Sequence, residues 1–268
     1  MRANGVVINA DASQVYADLR ILSARPSEAD EAAAPHRLYG TIDGSVACTA
    51  AMWADLARSE IAAAHAEGRL PILVGGTGMY LRTLLNGIAP VPEIDPAVRE
   101  AVRALPPHDL HALLTAEDPA MAARVRPTDR QRLSRALEVI RSTGRSLADW
   151  QAAPTDGLGA TVDVRGYVVE IDRDELYRRC GTRFTAMLDA GALDEVAQLA
   201  ARNLDPALPV KKAIGVPPLL DHLAGQSSLR DACDLATQQT RNLAKRQLTW
   251  FRNQTADWNR VTPNASLL

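Results

Sequence analysis

Four stretches of the sequence carry residue types that could do chemistry. Asp11 lies in NADASQVY, directly after the apolar run GVVINA of residues 5–10. A carboxylate at the C-terminal end of a strand, beside a cleft, suits a proton acceptor or a hydrogen-bond acceptor for an amine. The same position suits an aspartate that caps a helix or closes an Asx-turn, and position alone does not separate the two. Thr77, in LVGGTGMY, could present its hydroxyl and backbone N–H to an anionic oxygen at a helix N-terminus, or act as a plain N-cap. Lys211 and Lys212, two of only three lysines, could bind phosphate or form an ordinary surface pair. In the run KRQLTWFR of residues 245–252 basic and aromatic residues alternate on a helical pattern. There the cations can hold phosphates while rings stack, and Trp250 can equally pack into a core from another face of the same helix. The stronger signatures are missing: the 268 residues contain no GxxxxGKS/T, GxGxxG, HExxH, GxSxG or EF-hand loop.

The elements that must position these groups follow from hydrophobic spacing. Residues 5–10 and 70–74 (LPILV) are short apolar runs that read as buried parallel strands. Between them, residues 49–68 have apolar residues at helical spacing and close on glycine, so they read as a crossover helix. Strand, helix, strand predicts a βαβ unit. Residues 77–86 resume helical periodicity after Gly75-Gly76, which puts Thr77 where open α/β sheets place their ligands. From Pro90 to about residue 159, prolines punctuate short helical pieces, the pattern of a small helical insertion. Residues 162–171 read as a strand returning to the sheet. Residues 174–203 predict two helices broken at Ala190-Gly191, and residues 228–253 a final long helix.

Composition bounds the class. With 47% hydrophobic and 23% charged residues the chain is an ordinary globular protein, and no run of eighteen apolar residues marks a membrane span. Cys48, Cys180 and Cys233 are far apart, without CxxC or histidine spacing, which gives neither a disulfide framework nor a zinc template. A net charge of −2 argues against a nucleic-acid partner until it is divided by segment. Residues 124–145 carry seven arginines against Asp129 and Glu138, a balance of +5, and residues 241–252 carry four cations and no acid. The rest of the chain therefore holds −11. Two basic islands on an acidic body suit a protein that grips a phosphate backbone in one place and repels it elsewhere. An arginine-rich composition, 27 arginines to 3 lysines, would also produce such islands without any ligand.

The combination is more specific than its parts. NADASQVY, ARP, LVGGTGMYL, RPTDRQRLSRALEV and LAKRQLTWFR, in this order and spacing, closely resemble the bacterial tRNA dimethylallyltransferases, also called tRNA isopentenyltransferases, over about residues 6–252. RQRLSRALEV and AKRQLTWFR are the diagnostic pieces. The resemblance implies an α/β fold, a P-loop-kinase-like parallel sheet flanked by helices, with residues 1–90 and 160–268 as the core and 91–159 as a helical insertion domain that contacts tRNA. It implies transfer of a dimethylallyl group from dimethylallyl diphosphate to the exocyclic amine of the adenosine just 3′ of the anticodon, with that base flipped out of the loop. Asp11 is then the base for the amine, and Thr77 the contact to the reacting groups near the diphosphate. The resemblance assigns tRNA contact to Asp11, Ala12, Ser13, Gln14, Thr77 and Arg99, to Gln131, Arg132, Leu133, Ser134 and Arg135, and to Lys245, Arg246, Gln247, Leu248, Thr249, Trp250, Phe251 and Arg252. Lys212 falls at the diphosphate-binding position. Mg2+ is implied as cofactor, with no metal ligand identifiable because the P-loop Ser/Thr is absent from these residues. The partners implied are the tRNA anticodon stem-loop and dimethylallyl diphosphate, met by a cytoplasmic monomer with no membrane contact.

Departures from the pattern set further expectations. Members of the family normally carry a strand, a GPTASGKS-type P-loop and a helix ahead of the segment that is here residues 5–16. On this reading the chain lacks the main phosphate cradle, a central strand and a core-facing helix, and is expected to show little or no transfer while keeping some tRNA affinity. Lys212 stands for an arginine, which keeps charge and loses the bidentate fork. The usual Gly-Tyr-Lys/Arg continuation is Gly215-Val216-Pro217-Pro218, whose prolines should break or restart a helix. The second residue of the usual Asp-Ser pair is Ala12, with the serine displaced to Ser13. Two other readings stand beside this one: a non-catalytic RNA-binding remnant, and an adenylate isopentenyltransferase acting on free nucleotide. Residues 131–135 and the basic-aromatic helix have no use in the last.

Overall fold

The strand that ends before Asp11, β1 (Gly5–Asn9), lies at the centre of a three-stranded parallel sheet. Its neighbours are β2 (His36–Arg37) and β3 (Leu70–Val74), in the order β2–β1–β3. This arrangement is seen in a computed structural model that describes residues 4–152 and 157–263; residues 1–3, 153–156 and 264–268, which fall within the expected core and insertion segments, lie outside the described residues. β1 and β3 pair over their full length, from Gly5 opposite Leu70 to Asn9 opposite Val74. The connection from β1 carries α1 (Glu28–Ala33), closed at its start by a Ser27–Asp30 capping box. α2 (Ala50–Ala66), capped by Thr49, packs on β1 and β3 through Trp53, Ala57 and Ile61. The small residues on that face let helix and sheet approach closely. α3 (Gly78–Asn86) follows β3 after the GGT turn.

The chain divides into two compact units. Residues 86–157 form a helical unit of α4 (Pro96–Ala104), α5 (Leu110–Glu117), α6 (Pro119–Ala122), α7 (Arg130–Thr143) and α8 (Leu147–Ala152). Its own core is built on Leu110, Leu114, Leu133 and Leu137, all fully buried. Prolines at the first turn of α4 and α6 start those helices where no N–H is needed, which is why the sequence reads there as short pieces.

Residues 1–85 and 158–268 form the α/β unit. Here β4 (Tyr167–Val169) leads into α9 (Arg173–Asp189), α10 (Ala192–Ala201), α11 (Val216–Leu223), the long α12 (Leu229–Gln254) and β5 (Asn259–Val261). The break between α9 and α10 falls at Ala190-Gly191 as the sequence predicts, with Gly191 at φ +100°. Pro217 and Pro218 restart a helix: α11 begins at Val216, and the prolines occupy its first turn. One expectation is corrected. The strand read over residues 162–171 contracts to β4, which pairs with β5 in a separate two-stranded parallel sheet and not with the β1 sheet. Its earlier half carries exposed Val164 between Asp163 and Arg165, and at Gly166 the Trp258 ring occupies the space a side chain would need. The paired residues begin at Tyr167, opposite Asn259, whose N–H donates to the Gly166 carbonyl at 2.9 Å.

Candidate active site

Two loops, one after β1 and one after β3, meet at the C-terminal ends of their strands, and the backbone locks them together. The Thr77 N–H donates to the Ala10 carbonyl at 3.1 Å, and the Ala12 N–H donates back to Thr77 Oγ1 at 2.9 Å. Asp11 and Thr77, far apart in sequence, are thus brought to one place. Gly75 is required for this approach, because a Cβ there would collide with the Ala10 carbonyl. The pairing corrects part of the expectation for Thr77. Its backbone N–H is spent on Ala10 and is not offered to a ligand, whereas its hydroxyl proton has no acceptor among the described residues. A threonine hydroxyl whose lone pair is taken by a backbone N–H is left as a donor.

Asp11 closes the Asx-turn that the sequence allows and keeps one carboxylate oxygen unengaged. Its Oδ1 accepts the Ser13 N–H at 2.8 Å and the Ser13 hydroxyl at 2.6 Å, an Asx-turn. Its Oδ2 has no partner among the described residues. Ser13, displaced by one from the usual Asp-Ser pair, therefore orients the carboxylate directly. Gln14 turns its amide nitrogen onto the Ser23 and Ala24 carbonyls at 3.0 and 2.9 Å, which fixes the loop that carries Arg25.

The surroundings of Asp11 are protonated phenols. Burial pushes the Tyr39 hydroxyl up to about 12, and the Asp11 charge adds to the shift. Tyr80 is raised first by burial, then by the Cys48 thiol that its hydroxyl meets at 3.5 Å, with Tyr16 and Asp11 contributing less. Tyr80 also stacks on the fully buried Trp53 with ring centres 4.5 Å apart. Beside these groups opens a cleft of about 450 Å3, lined among others by Gln14, Arg25, His36, Tyr39 and Val74. Arg25 lends one N–H to the Tyr16 carbonyl at 3.3 Å, and its buried Nε has no partner among the described residues. It passes over Gly40, at φ +61°, where no side chain would fit. Sequence reasoning did not single out Arg25, His36, Tyr39 or the buried Asn9. The signal available was a run of polar and aromatic residues, ARP and PHRLYG, on both sides of a two-residue strand.

The C-terminal basic-aromatic run lies on α12, and its faces separate. Gln247 donates to the Gly76 carbonyl at 3.0 Å, and Trp250 lies flat against Gly78, so this face packs on the GGTG turn. Lys245, Arg246, Thr249 and Arg252 are exposed on the other side, where a groove of about 570 Å3 runs past Lys245, Arg246, Thr249 and Trp250. Leu248 and Phe251 are half-buried, Phe251 against Trp250 and Trp258. Lys212 ends a short 3-10 turn (Pro209–Lys212) with its side chain in solvent.

In the helical unit, Gln131 and Arg132 are exposed and Ser134, Arg135 and Arg99 half-buried. Leu133 is fully buried in that unit's core, so its side chain presents nothing to a ligand. Among the described residues, no three of His, Cys, Asp and Glu stand close enough to hold a metal ion. Asp11 is a single carboxylate with one oxygen already committed to Ser13, and it does not by itself make a metal site.

Comparison with known proteins converges on one family. The IPP transferase family model matches residues 14–254. The chain is 57% identical over 265 residues to the tRNA dimethylallyltransferase of Sphingopyxis alaskensis, covering 98% of this chain and 87% of that one. It is 54% identical over 266 residues to the protein of the same name from Novosphingobium aromaticivorans, covering 98% and 94%. Among solved structures, the tRNA isopentenylpyrophosphate transferase of Bacillus halodurans superposes with a TM-score of 0.69 at 32% identity, over 97% of this chain and 82% of that one. A eukaryotic dimethylallyltransferase described as acting on tRNA gives a TM-score of 0.80 at 26% identity, over 97% and 67%. The match runs through the strand-end loops, the helical unit and α12 alike, and the chain belongs to the IPP transferase family.

Proposed function

We propose that the protein transfers a dimethylallyl group from dimethylallyl diphosphate to the exocyclic amine of the adenosine 3′ of the anticodon in tRNA. The observation that carries this reading is that reciprocal hydrogen bonds linking Thr77 to Ala10 and Ala12, the two neighbours of Asp11, bring Asp11 and Thr77 together, in a chain whose relatives carry that activity in their names. The Asp11 carboxylate, oriented through Oδ1 by Ser13, takes the proton from the attacking amine on its free Oδ2. The Thr77 hydroxyl is free to donate to an oxygen of the donor's diphosphate as negative charge builds there. Tyr39 remains protonated and lines the cleft with aromatic surface, which helps keep water from a developing allylic cation.

Lys212 supplies a further charge for the diphosphate. Mg2+ would neutralise charge on the leaving diphosphate, carried on its oxygens, and no step above depends on it. The exposed cations of α12 and the arginines of residues 124–135 hold the RNA backbone, and the protein works as a monomer in the cytoplasm. No described helix is long and apolar enough to cross a membrane.

The test is transfer to an anticodon stem-loop supplied with dimethylallyl diphosphate and Mg2+, read by mass spectrometry of the nucleosides. Prenylated adenosine 3′ of the anticodon is the expected product. Asp11→Asn should lower its rate by about 10²–10⁴-fold while stem-loop affinity stays within about threefold. Equal rates for the wild type and the Asn variant would overturn the assignment. Prenylation of free adenine nucleotide in preference to the stem-loop would overturn the choice of substrate.

A further inference from the structure

The buried Asn9, last residue of β1, has every hydrogen-bonding atom of its amide directed at the loops around Asp11. It is 0% exposed. Its Oδ1 accepts the Asp11 N–H at 2.8 Å, and its Nδ2 donates to the Asp11 carbonyl at 3.0 Å. The amide thus grips both the N–H and the carbonyl of Asp11, whose Oδ2 has no partner among the described residues. The second proton of Nδ2 goes to the Leu38 carbonyl, also at 3.0 Å. Leu38 is buried at φ +62°, a left-handed conformation that a leucine adopts only when its surroundings hold it there. The next residue, Tyr39, feels the Asp11 charge. The Asn9 carbonyl is in turn held by Trp53 Nε1–H at 2.9 Å, from a fully buried ring stacked on Tyr80.

A strand-end residue in this core needs only an apolar side chain for packing. An amide is useful here because it can hold a donor and an acceptor at once. With its backbone gripped by Asn9 and its Oδ1 held by Ser13, Asp11 has little freedom left, and Oδ2 is aimed. We infer that Asn9 is a positioning residue for Asp11, backed by Trp53, and that the Trp53–Asn9–Asp11 chain fixes the carboxylate for proton transfer. This deepens the transferase reading and rests on it, but its structural half can be measured without any turnover.

Two variants test it. Asn9→Ala removes the grip. Trp53→Phe keeps the stacked ring and frees only the Asn9 carbonyl, and it stands in if the first variant does not fold. Hydrogen exchange is followed at the Asp11 amide against the Ile8 amide in the ladder, and stem-loop transfer is followed as kcat and KM. Expected for Asn9→Ala are faster Asp11 exchange with Ile8 unchanged, a fall in kcat of about 100-fold and KM for the stem-loop within about threefold. Trp53→Phe should move the same quantities in the same direction by a smaller factor, about fivefold in kcat. A folded Asn9→Ala protein with wild-type kcat, or with lost kcat and unchanged Asp11 exchange, overturns the inference, as does a Trp53→Phe protein unchanged in both. If the wild type transfers nothing, the functional reading fails, while the exchange measurement still decides whether Asn9 holds Asp11.

Discussion

Thr77 shows how one hydroxyl can serve structure and chemistry through different atoms. Its oxygen lone pair satisfies the Ala12 N–H, and its proton is left for another acceptor. Removing the oxygen should therefore cost stability before any substrate is present. Thr77→Val keeps the shape and leaves the Ala12 N–H without its partner, a loss of about 1–2 kcal/mol. Thr77→Ser keeps the oxygen and should stay within about 0.5 kcal/mol of the wild type. Urea unfolding midpoints at constant slope measure both. Equal stabilities for the valine and serine variants would mean that the latch between the two loops is not formed in solution. The sequence offers a helix cap as the plain structural role of Thr77. In the structure the side chain turns instead toward the loop after β1, 65 residues earlier, a pairing that no local pattern encodes.

Among the elements, the loop between β1 and α1 depends on α10. Glu195 on that helix accepts the backbone N–H groups of Arg20 and Ile21 on Oε1, at 2.6 and 2.8 Å, and that of Leu22 on Oε2 at 2.9 Å. A carboxylate with three amide donors in reach is held by charge-assisted bonds. Glu195→Gln turns one acceptor into a donor that faces N–H groups, and should destabilise the fold by about 1–3 kcal/mol in thermal or urea unfolding. A second carboxylate gives a pH signature. On α9, Arg178 and then Arg179 hold Glu175 down at about 2, from an ordinary 4.5. A carboxylate lowered on folding adds stability that is present above its unfolded value and lost as pH falls through its folded value. The stability difference between the wild type and Glu175→Gln should accordingly be constant at neutral pH and shrink between about pH 4.5 and 2; a difference that grows there would reverse the sign. Elements with strong local signals were readable beforehand: α2 with its Thr49 cap, α12 with Ser228, and the apolar β1 and β3. β2 and β5 were not, since strands of two and three residues carry no periodicity and exist only through their pairing. The Asn9 and Glu195 contacts escaped for the same reason, because their partners are distant in the chain or depend on a turn.

At the scale of the whole molecule, the net charge of −2 conceals two basic islands, and the structure shows how much of each is already neutralised. In residues 124–145, Arg141 is tied to Glu117 at 2.6 Å, Arg132 leans on Asp129 and Arg135 on Glu138. Arg145 lies over the Trp150 ring. Arg124, Arg126 and Arg130 are exposed and meet no carboxylate among the described residues. On α12 the division is sharper: Arg241 turns toward the Tyr177 ring, whereas Lys245, Arg246 and Arg252 face solvent and meet no described acid. An exposed cation without a carboxylate partner loses little when it moves to a phosphate, and each phosphate neutralised releases counterions. The α12 island, with three of its four cations free, should therefore keep a larger share of its formal +4 for RNA than the first island, with three free of seven, keeps of its +5. Replacing Lys245 and Arg246 by alanine should weaken binding of an anticodon stem-loop by about tenfold in moderate salt. It should also flatten the plot of log K against log salt by about 1–2 units. The double variant Arg132→Ala with Arg135→Ala, which removes cations already paired with Asp129 and Glu138, should change that slope by less. Fluorescence anisotropy of a labelled stem-loop across a salt series separates the two outcomes. A steeper loss from the paired arginines than from Lys245 and Arg246 would show that the acidic residues beside them do not compete with the RNA.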